Sequence, residues 1–339
     1  MNENFIDKNP SLETYWRSII LLGRNTASYK FALAKSLIEI DKTNTNIKLE
    51  DLAVPFAKNI CEHLLNNDKQ NTLTTSKFLD ICRKYNNKQI SEENLKIETI
   101  KLGFVNVIDA FHNVSQTKVP RFFEDSRKHN KSIILTDSFY KLMEGDQKDN
   151  INVEVNARWQ LWETAISLNI NSNLLVINSD IETKSLYVIN NELRRINVTS
   201  SKGALNGYQK GKCFYCLKGI TILSGLEHSC DVDHFFPHML KQNKLNTINQ
   251  VWNLVLTCKD CNRGASGKFE KIPVIKYLEL LYKRNNFYIE SHHPLKETII
   301  NQTGNTKELR IKFLQDYYNK AIDIIPSKWE PKETFGDTF

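Results

Sequence analysis

The chain has 339 residues, enough for two domains or for one domain with a large elaboration. Hydrophobic residues make up 40% and charged residues 25%, as in ordinary globular proteins, and no apolar run reaches the ~18 residues of a membrane helix. The net charge is +7, and the amino terminus lacks a basic stretch followed by an apolar one, so we expect no membrane span, no secretion signal and a cytoplasmic protein.

The first half of the chain is predicted to be mainly helical. Ser11 is a suitable N-cap for a helix over Leu12–Leu22, and Asn25 for a second helix that runs to residue 40. Pro55 is expected in the first turn of a third helix, because proline is best tolerated there.

Two further helices are predicted before residue 170. One begins behind Ser91 and carries apolar residues to Ile108, and the other covers residues 153–168. The tryptophans in these helical segments are expected in the core rather than on a recognition surface. They are Trp16, Trp159 and Trp162.

The pattern changes to short apolar runs at residues 174–177 and 186–189, which indicate strands. A Ser- and Gly-containing stretch at 199–207 is predicted to be a domain boundary. Residues 273–285 and Lys307–Ile324 are predicted to be helices.

Four of the seven cysteines form two C-x-x-C pairs, 42 positions apart, in a chain without an export signal. Two such pairs can supply the four thiolates of a structural Zn²⁺ site, which is favoured over the redox-motif alternative. The predicted ligands are Cys213, Cys216, Cys258 and Cys261. The remaining cysteines are expected to be small buried hydrophobes. These are Cys61, Cys82 and Cys230.

Positive charge is concentrated around these cysteines. Residues 201–284 hold thirteen Lys or Arg and six Asp or Glu, so this segment carries the entire net charge. A basic field of this kind attracts the phosphate backbone of nucleic acid. A solvated basic face without a ligand is the alternative that charge alone leaves open.

Between the cysteine pairs lies Asp233-His234 followed by Pro237, and then Asn253 and Asn262. This order, bracketed by the cysteine pairs, resembles the HNH (ββα-metal) endonucleases, including the HNH domain of RNA-guided CRISPR nucleases. The resemblance covers roughly 60 residues. It implies two strands and a helix around one divalent cation.

The resemblance implies a role for each residue. His234 is the expected general base of phosphodiester hydrolysis, and Asp233 and Asn262 are expected to bind catalytic Mg²⁺ or Mn²⁺ through oxygen. Asn253 would hydrogen-bond across the loop between the strands and orient His234. Neighbouring strand residues point to opposite faces, so Asp233 and His234 can share a site only where the strand ends or twists.

Further residues near this motif are candidates for a role in the same site. Arg263 and Lys268 are candidate phosphate contacts, and His238 is a possible participant at the phosphate or metal. Asp231, which shares a strand face with Asp233, is either an outer carboxylate or solvated. Among the isolated histidines, His112 and His129 are expected to be structural or exposed. His228, His292 and His293 have no partner in the motif and are expected to be structural.

These observations predict a mostly helical α+β protein in three parts. Residues 1–200 would be a helical domain, 201–285 a zinc-stapled HNH nuclease domain and 286–339 a helical extension. Residues 11–37 and 208–295 also resemble stand-alone bacterial HNH proteins of restriction or phage defence. The predicted partner is nucleic acid, DNA rather than RNA, with no membrane.

Two alternatives to a free-standing endonuclease remain at this stage. One is a nuclease subunit that is active only with an ATPase, helicase or sensor partner docked on the helical domain. The other is a zinc-dependent nucleic-acid-binding module with an idle nuclease centre. The complete set of Asp, His and Asn residues argues against the second, because binding alone requires no general base.

Overall fold

The computed structural model describes residues 10–22, 25–73, 75–114, 119–167, 177–180, 183, 185–189, 195–243, 247–291, 293 and 295–336. These residues form a mostly helical α+β structure with small sheets, which confirms the predicted fold class. Within the described part of the chain, no helix is long and apolar enough to cross a membrane.

The first part of the chain builds a helical unit around a three-stranded sheet. Its helices are α1 (Leu12–Leu22), α2 (Tyr29–Glu39), α3 (Leu49–Asn66), α4 (Lys77–Asn86), α5 (Glu92–Leu102), α6 (Val107–Ala110), α7 (Arg127–Asn130), α8 (Asp137–Glu144) and α9 (Lys148–Ser167). Its strands are β1 (Asn46–Lys48), β2 (Phe123–Ser126) and β3 (Ser132–Leu135). They form an antiparallel sheet in the order β1–β3–β2. Trp16, Trp159 and Trp162 are buried in this unit, as predicted.

Helix α1 has the predicted bounds, and the Ser11 hydroxyl accepts a hydrogen bond from the Thr14 amide at 3.3 Å. The cap prediction for Asn25 is wrong, because α2 begins only after Ser28. The prediction for Pro55 is also wrong, because Pro55 lies inside α3. Helix α3 begins early, at Leu49, whose amide donates to the carbonyl of Lys131 beside the sheet at 2.9 Å.

The helix behind Ser91 is shorter than predicted. The Ser91 hydroxyl accepts from the Asn94 amide at 3.2 Å and caps α5, which ends at Leu102 instead of continuing to Ile108. The helix predicted at 153–168 is confirmed to residue 167 as the carboxy-terminal part of α9, and residue 168 lies outside the described residues.

The stretch at 199–207, which is predicted to be a domain boundary, covers the end of a strand and most of a helix. Strands β4 (Asn178–Asp180), β5 (Ser185–Ile189) and β6 (Arg195–Ser200) form an antiparallel sheet that leads into α10 (Ser201–Gln209). Gly203 permits close packing of α10 on α9, since a Cβ there would lie 2.8 Å from the Cβ of Ala157. The run at 186–189 is a strand as predicted, and residues 174–176 lie outside the described part.

The segment with the cysteine pairs and the helices after it form the second part. Its elements are β7 (Asp231–His234), β8 (Leu254–Thr257), α11 (Lys259–Arg263), β9 (Ile272–Pro273), α12 (Ile275–Glu290), α13 (Leu295–Thr303), α14 (Lys307–Ile324) and β10 (Lys328–Trp329), with 3-10 turns at His238–Asn243 and Val251–Asn253. Helix α14 has the predicted bounds. Helix α12 begins two residues later than predicted and crosses position 285.

Two hydrophobic cores divide the molecule within helix α9. One extends from Trp16 to Trp162, and the other from Leu161 to Trp329, so the carboxy-terminal helices share a core with the cysteine segment. Glu154 of α9 links the two parts. Its carboxylate accepts from Arg17 Nε of α1 at 2.7 Å and from Asn206 Nδ2 of α10 at 2.8 Å.

Candidate active site and metal centre

The four paired cysteines converge on one point. Their sulfur atoms all lie within 4.8 Å of one another, and the Sγ atoms of Cys216 and Cys258 are 3.7 Å apart. All four side chains are buried. Four converging thiols can hold a metal ion such as zinc in a tetrahedral set that leaves no position open for water.

Each cysteine pair gains its geometry from a tight turn. After the first pair, the Leu217 amide donates to the Cys213 carbonyl at 3.0 Å, and Leu217 adopts the left-handed conformation with φ 63°. In the second pair, Cys258 caps α11, and its sulfur accepts from the Cys261 amide at 3.4 Å. The other three cysteines are buried, as predicted, and lie outside this group.

The carboxy-terminal segment packs over the metal centre. The Phe335 amide donates to the Cys216 carbonyl at 2.7 Å, and Trp329 Nε1 donates to the Ser266 carbonyl at 2.7 Å. The rings of Tyr215 and Trp329 meet edge to face at 5.1 Å. This segment therefore holds the loop that follows α11 against the cysteines.

Strands β7 and β8 pair antiparallel, with Asp233 opposite Val255 and His234 opposite Leu254. His234 is the last residue of β7, so the strand ends at the position where Asp233 and His234 could share a site. Fully buried Asn253 is the last residue of the 3-10 turn directly before β8. Its Oδ1 accepts from the Phe236 amide at 2.9 Å, and its Nδ2 donates to the Phe236 and Ile248 carbonyls at 3.0 and 2.8 Å.

Asp233 is buried in a polar cluster that includes Lys268. Its Oδ2 lies 3.3 Å from Lys268 Nζ and accepts from the Tyr215 hydroxyl at 3.1 Å. Burial raises the pKa of the Asp233 carboxyl, although the Lys268 ammonium acts in the opposite direction. Lys268 is 0% exposed, so the prediction that it contacts phosphate is wrong. Its ammonium instead balances the buried carboxylate.

The carboxylate that meets Asn262 is Asp231. Asn262 Nδ2 donates to Asp231 Oδ2 at 3.1 Å, and Arg263 Nε lies 3.1 Å from the same oxygen. Asp231 is buried, so the alternative of a solvated carboxylate is wrong. Arg263 remains 61% exposed and can reach a ligand from solvent.

The imidazole of His234 is half-buried at the end of β7. Its Nε2 atom is buried and has no hydrogen-bond partner within the described part of the chain. Burial lowers the pKa of His234 to about 4, with further lowering from His238 and Lys268, whereas contact with Asn249 acts the other way. His238 is exposed, and the two imidazole rings are 5.8 Å apart. A neutral His234 can accept a proton from a group that reaches Nε2.

Among the isolated histidines considered in the sequence, His112 and His293 have structural contacts that explain them. His112 Nε2 accepts from the Phe122 amide at 3.0 Å, and His293 Nδ1 accepts from the Leu295 amide at 3.1 Å. His129 and His228 are exposed, and His292 lies outside the described residues. The predictions therefore hold for His112, His129 and His293, whereas His228, predicted to be structural, is exposed.

The sequence interpretation missed two neighbours of the candidate site. Tyr215, between the first two cysteines, binds Asp233, and Asn249 contacts His234. The aromatic filler of the first C-x-x-C pair was a usable signal for Tyr215, because a buried phenol needs a polar partner. Nothing in the spacing indicated Asn249.

Burial also reduces the positive charge that is available to a ligand. Arg284 is fully buried and donates to the Trp252 carbonyl at 2.7 Å, and Lys268 is paired with Asp233. Two of the thirteen cations in residues 201–284 are therefore interior groups. The exposed cations beside the strand pair and α11 include Arg263, Lys259 and Lys271.

Comparison with known proteins identifies no relative: no family model matches the sequence, and no curated protein or solved structure is detectably similar to the chain.

Proposed function

We propose that the protein is a metal-dependent endonuclease that hydrolyses phosphodiester bonds, with DNA as its substrate, by the one-metal HNH mechanism. The observation that carries the proposal is the buried Nε2 of His234, which has no partner among the described residues, at the end of a strand whose Asp231 carboxylate meets Asn262 of α11. A structural histidine would be expected to have a partner for this nitrogen, as His112 does.

In this proposal His234 accepts the proton of the attacking water, and Asn253 fixes the loop that follows it. Asp233 and Asn262 bind the catalytic Mg²⁺ or Mn²⁺, with Asp231 as an additional oxygen donor beside Asn262. The cation, when bound, polarises the scissile phosphate and neutralises the leaving oxygen. Arg263 contacts a phosphate from its exposed position.

The donor set fits a hard, exchangeable cation because it consists of carboxylate and amide oxygens. It differs from the four buried thiols, which suit zinc. The resemblance to stand-alone bacterial HNH proteins extends the proposal to restriction or antiphage defence. It also suggests that the helical unit selects the target or docks an ATPase or sensor partner.

The test is incubation of the purified protein with supercoiled plasmid and Mg²⁺ or Mn²⁺. We expect nicked or linear DNA, complete inhibition by EDTA, and recovery on metal addition without refolding. His234→Ala should bind DNA as the wild type does, yet cleave it roughly 10²–10⁴-fold more slowly, as on loss of a general base.

Other outcomes would redirect the proposal. Cleavage in EDTA would exclude the single-metal mechanism, and wild-type cleavage by His234→Ala would move the general base, with His238 the first residue to test. Binding without cleavage under all metal conditions would favour the idle nucleic-acid-binding module. Cleavage that appears only in lysate would favour an activating partner.

A further inference from the structure

Phe269 is an exposed aromatic residue in an unfavourable backbone conformation. It has φ 46°, in the left-handed region that a bulky residue rarely adopts, and its side chain is 52% exposed. The packing energy of a buried ring could offset the cost of this backbone conformation, but a half-exposed ring gains little packing energy. Strain of this kind is typical of functional sites.

The backbone around Phe269 is fixed to the candidate active site. The Phe269 amide donates to the Asn262 carbonyl at 3.0 Å, and its carbonyl accepts from Lys268 Nζ at 3.2 Å. The amide of Lys268 donates in turn to the Cys261 carbonyl at 2.7 Å. The ring therefore projects from a loop that is tied to α11, to the metal centre and to the buried partner of Asp233.

Charge around the ring favours nucleic acid over a protein surface. Residues 263–276 contain three exposed Lys or Arg, namely Arg263, Lys271 and Lys276, and one acidic residue, Glu270. Arg263 and Lys271 are exposed on either side of Phe269 in the sequence. An aromatic ring beside exposed cations suits stacking on a nucleobase whose phosphates meet those cations.

We propose that Phe269 stacks on a nucleobase of the DNA strand next to the scissile phosphate and so positions that phosphate at Asn262 and His234. The inference rests on the proposed nuclease function and adds a base-contacting residue to it. Aromatic stacking tolerates any base, because every base has a flat face. Phe269 would thus contribute affinity and register but little sequence preference.

The test measures binding of a fluorescein-labelled single-stranded DNA to the full chain by anisotropy, in EDTA to prevent cleavage. Phe269→Gly removes the ring and suits the left-handed backbone, so it should melt no lower than the wild type. It should nevertheless bind roughly 5- to 150-fold more weakly, the range for loss of one stacked base. Phe269→Trp should retain binding.

Salt dependence separates stacking from charge. Phe269→Gly should leave the slope of log affinity against log salt unchanged, whereas Arg263→Gln should reduce it by roughly one unit per lost phosphate contact. Ile97→Ala, which truncates another half-exposed apolar side chain far along the sequence, is the control and should bind normally. A 2-aminopurine in the DNA should be quenched by the wild type and not by Phe269→Gly.

Each contrary result has a distinct meaning. A lower melting temperature for Phe269→Gly would make the ring structural and overturn the inference. Normal binding by Phe269→Gly would overturn it while leaving the nuclease proposal intact. Failure of the wild type to bind any DNA would overturn both.

Discussion

Buried His112 in the helical unit and half-buried His234 in the cysteine-bearing part differ in how their ring nitrogens are used. Burial lowers the pKa of both His112 and His234, to about 3 and about 4. In the helical unit, His112 Nε2 accepts from the Phe122 amide, and its Nδ1 lies 3.4 Å from Arg121. In the cysteine-bearing part, His234 Nε2 has no partner among the described residues.

The difference shows why burial and a shifted pKa are not enough to identify a functional histidine. Both rings are neutral near pH 7, yet the basic nitrogen of His112 is already used to hold the start of β2 in place. Only His234 keeps a lone pair for an external proton. The number of satisfied nitrogens, rather than the pKa, separates the structural role from the proposed catalytic one.

The largest effect is expected from the metal centre. Cys258→Ser should abolish metal binding and unfold the cysteine-bearing part, because structural zinc binding contributes apparent free energies of roughly 10–16 kcal/mol. Metal content per chain and thermal unfolding measure this. Cys82→Ser, a buried cysteine of the helical unit, is the control and should keep the metal. A wild-type protein that is folded without metal would contradict the prediction.

Mutating each of the two histidines to alanine in turn tests the comparison directly. His234→Ala should lower cleavage roughly 10²–10⁴-fold with little change in melting temperature. His112→Ala should lower stability by about 1–3 kcal/mol, because the Phe122 amide loses its acceptor, and should leave cleavage per folded molecule unchanged. Similar stability losses in both variants would remove the distinction.

Breaking the buried ion pair of Lys268 and Asp233 is expected to reduce stability less than loss of the metal centre does. Lys268→Met leaves a buried carboxylate without its ammonium and should destabilise the protein by about 3–5 kcal/mol. Asp233→Asn in the same chain should recover part of that loss. Arg263→Met removes the ion pair of a mostly exposed side chain and should cost about 0–1 kcal/mol. Denaturant unfolding would measure all three, and equal costs for Lys268 and Arg263 would contradict the assignment of Lys268 to the interior.

The last expected effect is the pH dependence of stability due to His112. The unfolded chain binds this proton below about pH 6.5, whereas the folded chain binds it only near pH 3, because burial, Arg121 and Lys30 oppose the charge. The contribution of neutral His112 to the free energy of unfolding is therefore complete above pH 6.5. It decreases as the pH falls towards 3, and the loss is roughly 2 kcal/mol at pH 5. His112→Gln should show a shallower decrease between pH 7 and 5, and an unchanged slope would exclude His112 as its source.

Features set by local sequence were predicted well. Helices α1 and α14 have the predicted bounds because caps and apolar periodicity lie within them, and the cysteines converge because two-residue spacing defines each turn. Sequence patterns were less informative where contacts with residues distant in the sequence determine the local structure. Pro55 lies inside α3 because β1 starts that helix early, and the Gly-containing stretch at 199–207 is mostly helical because α9 packs against it.

The candidate site divides in the same way. The position of His234 at a strand end and the placement of Asn253 followed from motif order. The partner of Asn262 and the burial of Lys268 did not, because they depend on how α11 and the loop after it pack on β7. A lysine in a basic segment is usually exposed, and only the structure reveals the interior carboxylate that it balances.

The bond from Trp329 to the Ser266 carbonyl has a consequence for synthesis of the protein. Residue 329 leaves the ribosome long after the strands and α11, and with β10 it pairs along β9 to hold the loop that carries Lys268 and Phe269. A nascent chain that has not reached Trp329 therefore lacks the contact that fixes this loop. In the proposed nuclease, assembly of this loop so late in translation would keep unfinished chains inactive.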